Sequence, residues 1–82
     1  MNYKDLDLNL IKIFLTVYES KSILLASKKL FVSQPAITNS IKRLEVFLGG
    51  KLFVRTSKGV VPTNEGEEFY ASCLESIKIL DN

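Results

Sequence analysis

The stretch Val32-Ser33-Gln34-Pro35-Ala36-Ile37-Thr38-Asn39-Ser40-Ile41-Lys42-Arg43-Leu44-Glu45, closed by Gly49 and followed by Leu52-Phe53-Val54-Arg55, decides the fold. Ser33 stands where a helix takes its N-cap. Pro35 falls in the first turn, where a missing N–H costs nothing, and Gly49 supplies the C-terminal stop. At about 100° per residue, Ile37, Ile41, Leu44 and Leu48 form one apolar stripe, while Gln34, Pro35, Thr38, Asn39 and Lys42 gather on a nearly opposite face. That second face has the wrong chemistry for a core. Its amides, hydroxyl, small apolar contact and cation are the groups that hydrogen-bond base edges, touch thymine methyls and neutralise phosphates. The reading is of a helix shaped to enter a groove of duplex DNA.

The flanking segments supply a body for that helix. Asp7 can cap a first helix in which Leu10, Ile11, Phe14, Val17 and Tyr18 recur at helical spacing up to about Ser20. Ser22 can cap a second, from Ile23 to about Leu30, with Ile23, Ala26, Ser27 and Leu30 inward; its small central residues permit close approach of a neighbour. Phe31-Val32-Ser33 is then a tight turn, and two helices so joined match a helix-turn-helix. Beyond Gly49-Gly50, Lys51 to Thr56, the turn chemistry of Ser57-Lys58-Gly59 and Val60-Val61-Pro62 predict a short hairpin. Its tip carries Thr56, Ser57 and Lys58, with Arg55 at its base, within reach of phosphates or an adjacent minor groove. Thr63 caps a last helix whose opening acids, Glu65, Glu67 and Glu68, suit the helix dipole. Phe69, Tyr70, Cys73, Leu74, Ile77 and Leu80 stripe that helix over roughly 27 Å, more than the preceding body is expected to cover, so part of the stripe calls for another chain.

Composition narrows the function classes. A chain of 82 residues with 46% hydrophobic content holds one small domain, and at about 60 residues such a domain buries only about 60% of its unfolded surface. No apolar run approaches the roughly 18 residues that cross a membrane, and the N-terminus has no secretory pattern, so a soluble cytoplasmic protein is expected. The lone Cys73 fits a reducing compartment. The net charge is only +2, but Lys28 to Lys58 holds seven cations against one acid, Glu45, while residues 59–82 sum to −4. The middle segment is the candidate electrostatic footprint, the alternative being a merely solvated face. With no histidine, one cysteine and no glycine-rich phosphate loop, neither an enzyme nor a metal site is expected, and no cofactor is implied.

These residues resemble the N-terminal domain of the LysR-type transcriptional regulators over about Leu8 to Leu80. The resemblance rests on Phe14, Val17, Ser22, Ala26, Leu30, the run Val32 to Ile37, Ile41-Lys42, Leu44-Glu45, Leu48-Gly49, Leu52-Phe53, Arg55, Thr63 and Gly66. It implies a mainly α fold: a winged helix-turn-helix, with a three-helix core and a short β-hairpin wing, over residues 1–62. A linker helix over 63–82 would form a homodimer, with higher oligomers open to a full-length protein. A small-molecule effector would bind only a further domain that this sequence does not contain. The sequence departs from the family pattern at Ala26-Ser27, where two alanines are usual, and at Lys21, where glycine is common. Leu24 and Leu25 replace residues that are often polar, and Asn39 an arginine, although asparagine can pair with adenine through N6 and N7.

The expected DNA contacts are accordingly Ser22, Ser33, Gln34, Pro35, Thr38, Asn39, Lys42, Arg43, Arg55, Ser57 and Lys58. Ser22 and Ser33 are helix caps first, with phosphate contact in addition. Lys42 and Arg43 read as phosphate clamps, Arg43 having the alternative of pairing with Glu45 or Glu19, and Arg55 as a wing contact or a structural ion pair. Phe69, Tyr70, Cys73, Leu74, Ile77 and Leu80 are the expected dimer seam, Cys73 as a small apolar residue rather than a redox centre. A winged-helix assembly module that does not bind DNA is the alternative function.

Overall fold

The elements form where the caps place them. In the computed structural model, which describes the backbone of residues 7–81 and side chains through residue 76, the order is α1 (Leu8–Ser20), α2 (Ile23–Leu30), α3 (Gln34–Leu48), β1 (Phe53–Thr56), β2 (Gly59–Pro62) and α4 (Asn64–Asp81). Asp7, Ser22 and Ser33 each accept a backbone N–H of the first turn they precede, at 2.9, 3.1 and 3.2 Å. The Thr63 hydroxyl does the same for Gly66 at 3.0 Å. Four helix starts are thus satisfied by residues immediately outside the helices, each cap contributing about 1 kcal/mol.

The apolar stripes converge on one core of Leu10, Phe14, Val17, Ala26, Ile37, Ile41, Leu44, Leu52, Val60, Phe69 and Cys73. Phe14 is fully buried. It meets Phe69 edge to face at 4.9 Å and Phe53 at 5.4 Å, so one ring from α1 holds the hairpin and α4 together. The buried Ser27 gives its hydroxyl proton to the Leu24 carbonyl at 2.7 Å. A small residue with a satisfied hydroxyl therefore lies on the packed face of α2, which accounts for its tolerance in place of alanine.

The hairpin is antiparallel, with Phe53 opposite Pro62, Val54 opposite Val61, Arg55 opposite Val60 and Thr56 opposite Gly59. Gly59, expected in the turn, is the first residue of β2. Its φ is +138° and a Cβ there would collide with the Lys21 carbonyl oxygen. That carbonyl also accepts the Val60 N–H at 3.1 Å. The glycine is thus required by the close approach of the hairpin to the end of α1. The tip itself is held by Thr56, whose hydroxyl accepts the Lys58 N–H and donates to the Gly59 carbonyl.

The turn between α2 and α3 carries a cost. Phe31 sits in the left-handed region at φ 58°, where its N–H and that of Val32 both reach the Ser27 carbonyl. It is 94% exposed, so no packing offsets the strain. Left-handed geometry costs a side-chain-bearing residue about 1–2 kcal/mol, of which glycine's greater unfolded freedom returns about 0.5–1 kcal/mol. Phe31→Gly is expected to stabilise the chain by about 0.5–1 kcal/mol, read as a higher urea midpoint with an unchanged slope.

Candidate nucleic-acid interface

The outward face of α3 is built by the inward one. Because Ile37, Ile41 and Leu44 are buried, Gln34, Pro35, Asn39, Lys42 and Arg43 are turned outward and exposed, with Thr38 half-buried at the edge nearest the hairpin. The Arg55 guanidinium reaches across to the Thr38 hydroxyl at 3.5 Å. This places Arg55, expected either as a wing contact or in an ion pair, beside the reading face. Ser57 and Lys58 at the hairpin tip are exposed. The structure therefore brings the α3 face and Arg55 into one surface, with the hairpin tip beyond them.

Ser22 and Ser33 mark the starts of α2 and α3. Their oxygens accept from Leu25 and Ala36, which leaves each hydroxyl proton available to a phosphate oxygen. Arg43 pairs with neither of its two expected acids. Among the described residues the one ion pair within 4 Å joins Lys51 to Glu45, at 3.8 Å, so the guanidinium stays exposed beside Lys42.

Glu45 has a different role from the one its sequence position suggests. Its side chain is only 11% exposed, and its carboxylate accepts the Leu52 N–H at 2.8 Å. Its own carbonyl accepts the N–H groups of Gly49 and Gly50 at 2.8 and 3.1 Å. One residue thus ends α3 and fastens the strand that follows. The sequence signal was its position as the lone acid of the cationic segment.

The expected dimer seam divides. Phe69 and Cys73 are buried in the chain's own core, which corrects their placement on a surface offered to another chain: α4 begins as part of the body, packed on Phe14. Burial pushes the Cys73 thiol up to about 11, so almost no thiolate is present at neutral pH. Tyr70 is half-buried and stacks on Tyr18, with ring centroids 3.7 Å apart. Leu74 is 40% exposed. Ile77 and Leu80 lie outside the residues whose side chains are described.

What the arrangement can do follows from its donors and acceptors. Gln34 and Asn39 present amides for base edges, Thr38 a hydroxyl and methyl, Pro35 and Ala36 apolar contact. Lys42 and Arg43 on α3, and Arg55 and Lys58 on the hairpin, carry charge with no acid paired to them among the described residues, and α3 has the diameter that a major groove admits. Among the described residues no helix is long and apolar enough to cross a membrane.

Two helices joined by a tight turn and flanked by a two-stranded hairpin define a winged helix-turn-helix protein. Residues 8–67 match the family described as bacterial regulatory helix-turn-helix protein, lysR family, and the chain belongs to it. It is 46% identical over 63 residues to the HTH-type transcriptional activator NagR of a Ralstonia species, covering 77% of this chain and 21% of that protein. It is 34% identical over 76 residues to the HTH-type transcriptional regulator LeuO of Escherichia coli K12, covering 93% and 24%. The chain therefore spans about a fifth to a quarter of these curated relatives. Among solved structures, CbnR, a LysR family transcriptional regulator, superimposes with a TM-score of 0.84 at 30% identity over 93% of this chain and 26% of that one. The BenM DNA-binding domain in complex with benA site 1 DNA gives 0.82 at 33%, over 93% and 88%.

The Glu45 clamp generates a stability prediction. Removing the carboxylate leaves the N–H of a 1% exposed residue, Leu52, without its acceptor, which costs about 1–3 kcal/mol. Glu45→Ala is expected to lower urea stability by that amount. Glu45→Gln, which keeps an acceptor oxygen, should lose clearly less.

Proposed function

We propose that this chain is the DNA-reading part of a longer transcriptional regulator. In this reading the N-terminal half of α3 lies in the major groove, and the hairpin lies on the flanking backbone or minor groove. The observation that carries it is the uncovered polar face of α3, Gln34 to Lys42, with Arg55 of the hairpin bonded to Thr38 within it. Similarity to domains solved in complex with DNA supports it. Gln34 and Asn39 would read base edges, with Thr38 and Pro35 adding apolar contact. Ser22, Ser33, Lys42, Arg43, Arg55, Ser57 and Lys58 would hold phosphates or line the minor groove. Reading DNA in a bacterium puts the protein in the cytoplasm.

The same reading makes α4 a homodimer seam. Its first half is fixed to the body, and its exposed Leu74 begins an apolar run that the sequence continues at Ile77 and Leu80. Paired about a two-fold axis, two such helices would present two recognition helices to half-sites about one helical turn apart or a multiple of it. Sedimentation of the parent chain at tens of micromolar is expected to give a dimer. Leu74→Lys combined with Ile77→Lys should give monomers with lower affinity for paired half-sites and a retained helical spectrum.

Two substitutions separate the roles on α3. Lys42→Ala is expected to weaken all duplexes about equally and reduce the slope of log affinity against log salt by about one. Gln34→Ala should change the preferred base at particular positions, with a loss of discrimination of about 1–3 kcal/mol. An unchanged preference in a selection from random duplexes would remove Gln34 from the reading set. Absence of salt-dependent duplex binding by the parent chain would favour an assembly module that does not bind DNA.

A further inference from the structure

α4 leaves the body across few side chains, and one contact has the geometry of a fixed joint. Tyr18 of α1 and Tyr70 of α4 stack face to face, with centroids 3.7 Å apart and planes within 7°. The Lys21 ammonium lies 3.9 Å from the Tyr18 ring centroid. With Tyr70 occupying one face, the cation must cover the other, a favourable placement for a positive charge. It also donates to the Tyr18 carbonyl at 2.8 Å. Glu67, which stands three residues before Tyr70 on α4, holds the Tyr18 phenol above its usual range. Tyr18 is thus covered on both ring faces.

Lys21 is itself immobilised. Its backbone is left-handed at φ 56°, its N–H reaches the Val17 carbonyl and its carbonyl takes the Val60 N–H. α1, β2 and α4 therefore meet at two neighbouring residues, Tyr18 through its ring and Lys21 through its backbone carbonyl. Both tyrosines are only half-buried, whereas Phe14, Phe69 and Cys73 beneath them supply the buried apolar contact. A parallel stack at the rim adds little burial, but it permits little tilt of α4 against the body. Tilt matters for a paired reader. On a body with shorter extents of 25 and 18 Å, a swing of about 10° displaces the far side by roughly 3–4 Å, about one base-pair step of 3.4 Å.

Resting on the reading that α4 pairs with its own copy, we infer that the Tyr18–Tyr70 stack, braced by Lys21, is a positioning element that sets the separation of the two half-sites the dimer reads. It touches no base. Its effect is on the angle at which each recognition helix is presented, so its loss changes the preferred separation and leaves half-site recognition intact.

The test uses the parent chain, Tyr70→Phe, Tyr70→Ala and Lys21→Ala. Each is sedimented, titrated on a duplex with a single half-site, and selected against duplexes in which two fixed half-sites stand at varied separations. The parent and Tyr70→Phe, which keeps the stacked ring, should enrich one separation. Tyr70→Ala should remain dimeric and bind the single half-site within about twofold of the parent, as expected for sites without shared partners, while its selected pool spreads over or shifts to other separations. Lys21→Ala, which leaves the rings and core in place and removes the cation from the Tyr18 face, should broaden the pool to a lesser degree; it carries the test if Tyr70→Ala does not fold. A dimeric Tyr70→Ala with the parent's narrow preference overturns the inference, as does an unchanged Lys21→Ala pool where only that variant folds. A monomeric parent overturns the dimer reading on which it rests.

Discussion

Glu45 connects what reads to what flanks. Its carboxylate, nearly out of solvent, accepts the Leu52 N–H, and its carbonyl closes α3 on Gly49 and Gly50. Leu52 in turn gives its carbonyl to the Thr63 N–H at 3.0 Å, and Gly66 lies so close to that carbonyl that any Cβ would collide with it. The Thr63 hydroxyl donates to the Lys51 carbonyl at 2.5 Å. The end of α3, the start of the hairpin and the start of α4 are therefore referred to one short segment, Lys51-Leu52. For the Leu52 N–H, on a residue only 1% exposed, the alternative is a buried donor without a partner, at a cost of about 1–3 kcal/mol.

The consequence for function is that the wing and the reading face are assembled before anything binds. The hairpin is tied at its base through Leu52 and along β2 through Val60 to Lys21, with Arg55 meeting Thr38 between them. A surface held this way loses little conformational freedom on association, so more of the contact energy appears as affinity. Side chains on its outer face remain free to adapt. The cationic segment contributes in the same geometry, although Lys51 is partly neutralised by Glu45, which makes the effective footprint smaller than a count of charges along the chain suggests.

Much of the scaffold was legible because it is local. Asp7, Ser22, Ser33 and Thr63 announce helix starts by a side chain that bonds two or three residues on, and Ile37, Ile41 and Leu44 disclose the buried side of α3 by spacing alone. What was not legible depends on contacts between distant segments. Gly59 looked like a turn residue and is a point of close approach to Lys21. Glu45 looked like a partner for Arg43 and is bonded seven residues away to a backbone N–H. Phe69 and Cys73 shared a stripe with Leu74, and only the position of Phe14 shows that the body itself takes the first two. Phe31 gave no local hint of its left-handed backbone, since that conformation is imposed by the geometry joining α2 to α3. The outward placement of Gln34, Pro35 and Asn39 was legible for a further reason: they are polar or helix-starting groups on a face that the core does not need.

The central claim is that α3 and the hairpin act on DNA as one prebuilt surface fixed through Glu45 and Leu52. Backbone amide shifts followed while the chain is titrated with a duplex carrying its selected site test this most directly. The account predicts large changes from Gln34 to Lys42 and from Arg55 to Lys58, with Glu45 and Leu52 nearly unmoved and the Leu52 amide slow to exchange in both states. Changes centred on the exposed face of α4, or a Leu52 amide that exchanges freely until DNA is added, would contradict it.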